Sequence, residues 1–214
     1  MQDQAGAPLI PATPDQRGAD GTPGPPLNRP AGIPATRRRA LFLALATIAV
    51  ITYGADQLSK AWAVRTLTDE PPRSLVGTFL QLDLIRNPGA AFSLGTGSTW
   101  VLTVIAVVVL VVIVRTSRRL GSTGWAWALG LLLGGALGNL TDRIVREPGF
   151  GQGHVVDFIN YNGYFIGNVA DIAIVSAAAL IGILALTGRG VDGTRESRES
   201  RETREQHPKG EESP

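Results

Sequence analysis

The stretch "FIGNVADIAIVSAAALIGILALT", residues 165–187, has the length and apolarity of a bilayer span, yet it carries Asp171 near its start. About 20 residues of helix cross a hydrocarbon core. A carboxylate at the centre of such a helix costs roughly 2.5–3.5 kcal/mol, so its presence points to a function. Just upstream, "GHVVDFI" (153–159) sets a second carboxylate, Asp157, among Val155, Val156, Phe158 and Ile159. A short connection joins the two.

Three further stretches have the same character: 40–58 "ALFLALATIAVITYGADQL", 94–114 ending in "VLTVIAVVVLVVIV", and 125–141 "WAWALGLLLGGALGNLT". The second is rich in Val and Ile and reads as a buried strand by propensity alone. Its length favours a helix, because a segment in lipid must satisfy its own backbone hydrogen bonds. The glycines of "GLLLGGALG" suit close helix contact. The sequence therefore predicts an all-α integral membrane fold. Four transmembrane helices are expected, with a small extracytoplasmic β-containing segment after span one and a loop between spans three and four.

Composition divides the chain unevenly. Of 214 residues, 44% are hydrophobic and 18% charged, but the apolar ones concentrate in 37–188, the expected membrane domain. Residues 1–36, rich in Pro, Gly and Ala, lack the apolar surface to fold. Residues 189–214, with "RESRESRETRE", lack an apolar face. Both are expected to be disordered cytoplasmic tails. The absence of cysteine excludes disulfides, thiolate metal sites and a cysteine nucleophile. The basic residues are spread by topology rather than gathered for nucleic acid, so no nucleic-acid partner is expected.

The arginines orient the bundle. Arg37, Arg38 and Arg39 precede span one, Arg115, Arg118 and Arg119 separate spans two and three, and Arg189 and Arg195 follow span four. With four spans these fall on one side, which positive charge marks as cytoplasmic. Both termini are then cytoplasmic, and 59–93 and 142–164 face outward. "RRRALFLALATIA" also resembles the start of a secretory signal. Its cleavage would leave three spans and break the charge pattern.

At the outer level the polar residues converge. Asp56 and Lys60, four apart on one helical face, end span one. Asn139, Asp142 and Arg143 end span three, and Asn168, Ala170 and Asp171 open span four, with Asp157 just before them. Each has an ordinary structural reading. Asp142–Arg143 reads as an interfacial ion pair, Asp56–Lys60 as a helix-end pair, and the two asparagines as helix-linking hydrogen bonders. In "LDLIRNPGAAFSLG", Leu82 and Leu84 suggest a short strand and turn. Gly89 and the small residues after Asn87 leave room for another chain to approach. Trp62, Trp100, Trp125 and Trp127 read as interface anchors.

"DQLSK", "NPGAAFSLG", "GGALGNLTDR", "GHVVDFI" and "NVADIAI", in this order on four spans, closely resemble the lipoprotein signal peptidases, or signal peptidase II, over about residues 40–187. The resemblance implies a multi-pass aspartic endopeptidase of the bacterial cell (inner) membrane, with its active site at the extracytoplasmic face. It would cleave prolipoproteins before the diacylglyceryl-modified cysteine. It implies Asp157 and Asp171 as the catalytic pair. Asp56, Lys60, Asn87, Gly89, Phe92, Asn139, Asp142, Arg143, Asn168 and Ala170 would support the site or bind substrate. Membrane lipids are implied as partners, and peptide antibiotics of the globomycin type as inhibitors. Two features depart from the family pattern. Gly167 stands where Phe is usual before the last asparagine, with Phe165 two positions earlier, and the stretch between the aspartates is short.

The chemistry stands without the resemblance. Two neighbouring carboxylates do not readily both ionise, so one keeps a proton while the other serves as base. No cofactor or metal is called for. His154 and His207 are too few for a ligand set. Ser59 and Ser93 have no evident paired base. A proton- or ion-coupled transporter is the rival reading, but its charged groups belong near the midplane, in repeated halves. A membrane scaffold leaves the carboxylates unexplained. The topology is testable with reporter fusions: those after Leu120 and after Thr187 should report cytoplasm and one near Asp69 the exterior. An external carboxyl terminus would overturn the four-span reading.

Overall fold

A computed structural model of the chain describes residues 33–89 and 99–195. Phe92, Ser93, residues 94–98 of the expected second span and most of both expected tails lie outside them.

Among the described residues four helices carry the fold: α1 (Ala35–Leu67), α2 (Thr99–Ser117), α3 (Thr123–Val145) and α4 (Val169–Leu186). Of these, α1, α2 and α4 are long and apolar enough to cross a membrane. The 23-residue α3 is diluted by Gly130, Gly134, Gly135, Gly138 and Asn139, for a reason its packing makes plain. A Cβ on Gly134 would lie 2.6 Å from the Ala49 carbonyl oxygen of α1, and one on Gly135 2.7 Å from the Ala170 carbonyl oxygen of α4. The central helix thus trades apolar side chains for backbone-close contact with both neighbours.

At 33 residues, α1 is much longer than the expected 40–58. At 1.5 Å per residue it reaches about 50 Å, well beyond a ~30 Å hydrocarbon core. Its last turns bury Ala63 and Leu67 against Val156 and Phe158, and so support a sheet beyond the bundle.

That sheet contains the β-segment expected after span one and extends it into the connection expected to be a loop. Strands β1 (Arg73–Val76), β2 (Leu80–Asn87), β3 (Val155–Tyr161) and β4 (Phe165–Gly167) form one antiparallel sheet in the order β1-β2-β3-β4. The strand expected around Leu82 and Leu84 is β2. The connection between the third and fourth helices, expected to be a loop, supplies β3 and β4. Phe165–Gly167, expected to open span four, is sheet instead, because Asn168 caps α4 one residue later. A tight turn joins β3 to β4, with Asn162 and Gly163 both at positive φ, 53° and 77°. This is the Asn-Gly chemistry of a hairpin.

At the opposite end of the bundle, residues expected to belong to the solvated tail are built into the fold. Arg189 pairs with Arg195 across a small hairpin, Gly121 N–H donates to the Val191 carbonyl (2.8 Å), and Trp125 Nε1 donates to the Arg189 carbonyl (2.8 Å).

Gly134→Val should lower the thermal unfolding midpoint in detergent, by the equivalent of about 1–3 kcal/mol of overpacking. Gly182→Ala, where a Cβ meets nothing within 4 Å, should leave it unchanged or slightly raised.

Candidate active site

One buried ammonium organises the end of the bundle beneath the sheet. Lys60, fully buried on α1, places Nζ 2.9 Å from Asp56 Oδ2, 2.9 Å from Asp142 Oδ2 and 2.9 Å from Asn139 Oδ1. Three acceptors match its three protons, leaving none of them unsatisfied at a fully buried position. Asp56 in turn accepts from the Ala170 N–H (2.9 Å), fixing the start of α4 on α1. Gly138 provides the room, since a Cβ there would collide with the Asp56 carboxylate. Gln57 donates to Asp56 Oδ2 and to the Gly138 carbonyl, both at 3.1 Å.

Asp142 corrects one sequence expectation. Its partners are Lys60 and Arg146 Nε (2.7 Å), and its Oδ2 also accepts from the Val156 N–H (3.1 Å), tying α3 to β3. It makes no ion pair with Arg143. Successive helix residues point about 100° apart, whereas residues four apart share a face. Arg143 turns instead towards the aspartates. It lines a cavity of about 290 Å³ together with Asn87, Gly89, Asn139, Asp157, Phe165 and Asp171, and its Nη1 has no hydrogen-bond partner among the described residues.

The asparagines carry the network from Lys60 to that cavity. Asn139 accepts from Lys60 and donates through Nδ2 to Asp171 Oδ1 (3.0 Å). Asn168 donates to Asp157 Oδ1 (2.6 Å) and to Asn139 Oδ1 (3.2 Å). It also caps α4: its side chain accepts from the Asp171 N–H while Asp171 Oδ2 accepts from the Asn168 N–H, both at 3.0 Å. This reciprocal capping box fixes Asp171 in the first turn. From β2, Asn87 donates to Asp157 Oδ2 (2.8 Å) and accepts from the Gly89 N–H (2.7 Å). Gly89 has φ +118°, and a Cβ on it would run into Leu102. Burial pushes the Asp157 carboxyl up from 3.8 to about 6; the Asn87 amide opposes the rise and the Asp171 charge adds to it.

Every expected site residue within the described chain therefore meets at this one place, and Phe92 lies outside the description. Sequence reasoning passed over Gln57 and Arg146, and named Phe165 only in connection with the departure at Gly167. The first two follow from helix spacing and adjacency. Phe165 explains the departure at Gly167: its ring stacks on Tyr161 (centroids 6.1 Å apart) and covers Gly167, where a Cβ would lie 2.6 Å from ring atom Cε1. An aromatic thus reaches the cavity from two positions earlier in the chain.

Residues 48–187 match the family model described as signal peptidase (SPase) II. The chain belongs to the signal peptidase II family. Proteins named lipoprotein signal peptidase are 48% identical in Streptomyces griseus (86% of this chain, 93% of that one), 48% in Rhodococcus jostii (76% and 81%) and 45% in Leifsonia xyli (79% and 79%). A solved structure titled as a bacterial membrane enzyme at 1.9 Å is similar with a TM-score of 0.58 at 29% identity, covering 66% of this chain and 92% of that one. Another, at 2.3 Å, gives 0.58 at 28%, covering 72% and 94%. The chain is accordingly a membrane-embedded protease of the family that processes prolipoprotein signal peptides.

Lys60→Met should be among the most damaging substitutions outside the cavity. It leaves the buried Asp56 without a cation and Asp142 with Arg146 alone, a loss of about 3–5 kcal/mol for a broken buried ion pair. Folded yield and unfolding midpoint of the purified protein measure it.

Proposed function

We propose that Asp157 and Asp171 form an aspartic catalytic pair that hydrolyses the peptide bond before the diacylglyceryl-modified cysteine of a prolipoprotein. The observation that carries this reading is that both carboxylates line one cavity and receive amide donors from Asn87, Asn139 and Asn168. The raised Asp157 supports it as the holder of the shared proton, with ionised Asp171 as its partner. Asp171 takes a proton from water as the hydroxide adds to the scissile carbonyl carbon, and Asp157 gives its proton to the carbonyl oxygen. As the tetrahedral intermediate collapses, the proton on Asp171 passes to the leaving nitrogen, the C–N bond breaks, and the oxygen-bound proton returns to Asp157. In this reading Arg143 faces the oxygen that gains charge.

The same reading makes α3 a fourth span. The catalytic cavity then opens at the extracytoplasmic face of the cell membrane, and the arginine-rich end is cytoplasmic. Peptide antibiotics that mimic the extended substrate would compete for the cavity beside Gly89.

Asp157→Asn and Asp171→Asn should each lower turnover of a lipid-modified prolipoprotein by about 10³-fold or more, and the double variant little further, since the pair acts as one unit. Near-parental turnover by Asp157→Asn would sink the assignment.

The pH dependence follows from Asp157. Its folded-state value lies above 3.8, so the folded chain holds this proton more tightly than the unfolded chain. That contribution to stability is complete below the unfolded value and is lost as pH rises through about 6. Turnover should fall along the same alkaline limb as the pair loses its shared proton. Asn87→Ala removes a donor that favours the ionised form, so it should move the limb to higher pH. A limb that stays in place or moves down would contradict the assignment of the proton to Asp157.

A further inference from the structure

The end of the bundle remote from the aspartates holds a second cavity, of about 490 Å³, that the peptidase chemistry does not use. Arg115 and Thr116 line it from the end of α2, Arg119 from the turn that follows, and Gly190, Val191, Asp192 and Thr194 from the hairpin that follows α4. Arg115 stands in the last turn of α2 and Arg119 two residues past its end, in a turn held by its N–H to the Thr116 carbonyl (3.0 Å). Both are exposed, and among the described residues neither makes an ion pair within 4 Å.

The one carboxylate in the lining is already engaged. Asp192 Oδ1 accepts from the Thr194 N–H (3.0 Å) and the Thr194 hydroxyl (2.7 Å), and it lies within electrostatic reach of Arg119. The cavity keeps a net positive charge, with Arg118, Arg189 and Arg195 close by in sequence. Its far wall is fixed in place: Gly121 N–H holds the Val191 carbonyl, Trp125 Nε1 holds the Arg189 carbonyl, and Val191 packs on the core formed by Leu41, Leu45 and Ile113. The 19-residue α2 above it is as long as a bilayer is thick, so its terminal arginines sit at headgroup level.

We propose that this cavity binds the phosphate of an anionic phospholipid headgroup, with Arg115 and Arg119 as its cationic partners and Thr116 as a hydroxyl donor. Paired guanidiniums suit phosphate oxygens, and basic pockets at helix ends on the cytoplasmic side recognise lipid headgroups. The inference rests on the reading of α2 as a span and not on the aspartate chemistry.

The test is native mass spectrometry of the full-length protein, released from detergent after titration with dioleoyl phosphatidylglycerol, dioleoyl phosphatidylcholine or inorganic phosphate. One phosphatidylglycerol should be retained in preference to the equal-chain choline lipid. Arg115→Gln with Arg119→Gln should reduce that retention at least about tenfold, as two headgroup-facing cations would. Arg118→Gln, outside the lining, should not. Asp192→Asn keeps the acceptor for Thr194 and removes a negative charge, so it should raise retention. This gives a change of opposite sign that misfolding would not produce. Equal retention of the two lipids, or an unchanged double variant, would overturn the proposal. So would displacement of the lipid by inorganic phosphate at comparable concentration, which would reassign the site to a soluble anion.

Discussion

The ammonium of Lys60 is the constraint on which the site depends. A buried cation is tolerated only when its charge and all of its donors are matched. Here the matching acceptors come from two helices, Asp56 on α1 and both Asn139 and Asp142 on α3. Satisfying Lys60 therefore fixes how these helices stand against each other. Each acceptor passes the constraint on: Asp56 to the first turn of α4 through Ala170, Asp142 to β3 through Val156, and Asn139 to Asp171. The two aspartates of the cavity thus rest on one scaffold, although β3 carries one and α4 the other.

This arrangement separates charges by task. Asp56 and Asp142 neutralise a cation and take no part in the cavity lining. Burial holds the Asp157 proton to about 6, against the pull of its amide donors and with no direct ion pair to a cation among the described residues. A lysine contact to Asp157 would favour ionisation and, in the proposed mechanism, remove the acid. Asparagine at 87, 139 and 168 serves where a charged residue would not, because an amide orients a carboxylate without fixing its charge.

Much of this was legible in the sequence, and the parts that were not have specific causes. The apolar runs fixed the helices, and spacing brought Asp56 to Lys60. The sheet was hidden because β3, "VVDFINY", is buried on both faces for most of its length and shows no polar alternation. The expected loop therefore absorbs β3, and the expected fourth span absorbs Phe165–Gly167 of β4. Two local signals would have separated them: Asn162–Gly163, which turns the hairpin, and Asn168 with Asp171 three residues on, which starts a helix. The Asp142–Arg143 pairing failed because adjacency in sequence was read as adjacency in space. The ordered hairpin at 189–195 escaped because its anchors are backbone hydrogen bonds to Gly121 and from Trp125, which composition does not reveal.

The central claim is that the two carboxylates of the cavity share one proton, held on Asp157. Infrared titration of the full-length protein, with its aspartates labelled with carbon-13, measures this without substrate. One isotope-shifted carboxylic-acid carbonyl band should persist above the range in which ordinary aspartates ionise and disappear near pH 6. It should be missing from Asp157→Asn. A spectrum with no protonated aspartate above that range, or a band that survives in Asp157→Asn unchanged, would contradict the account.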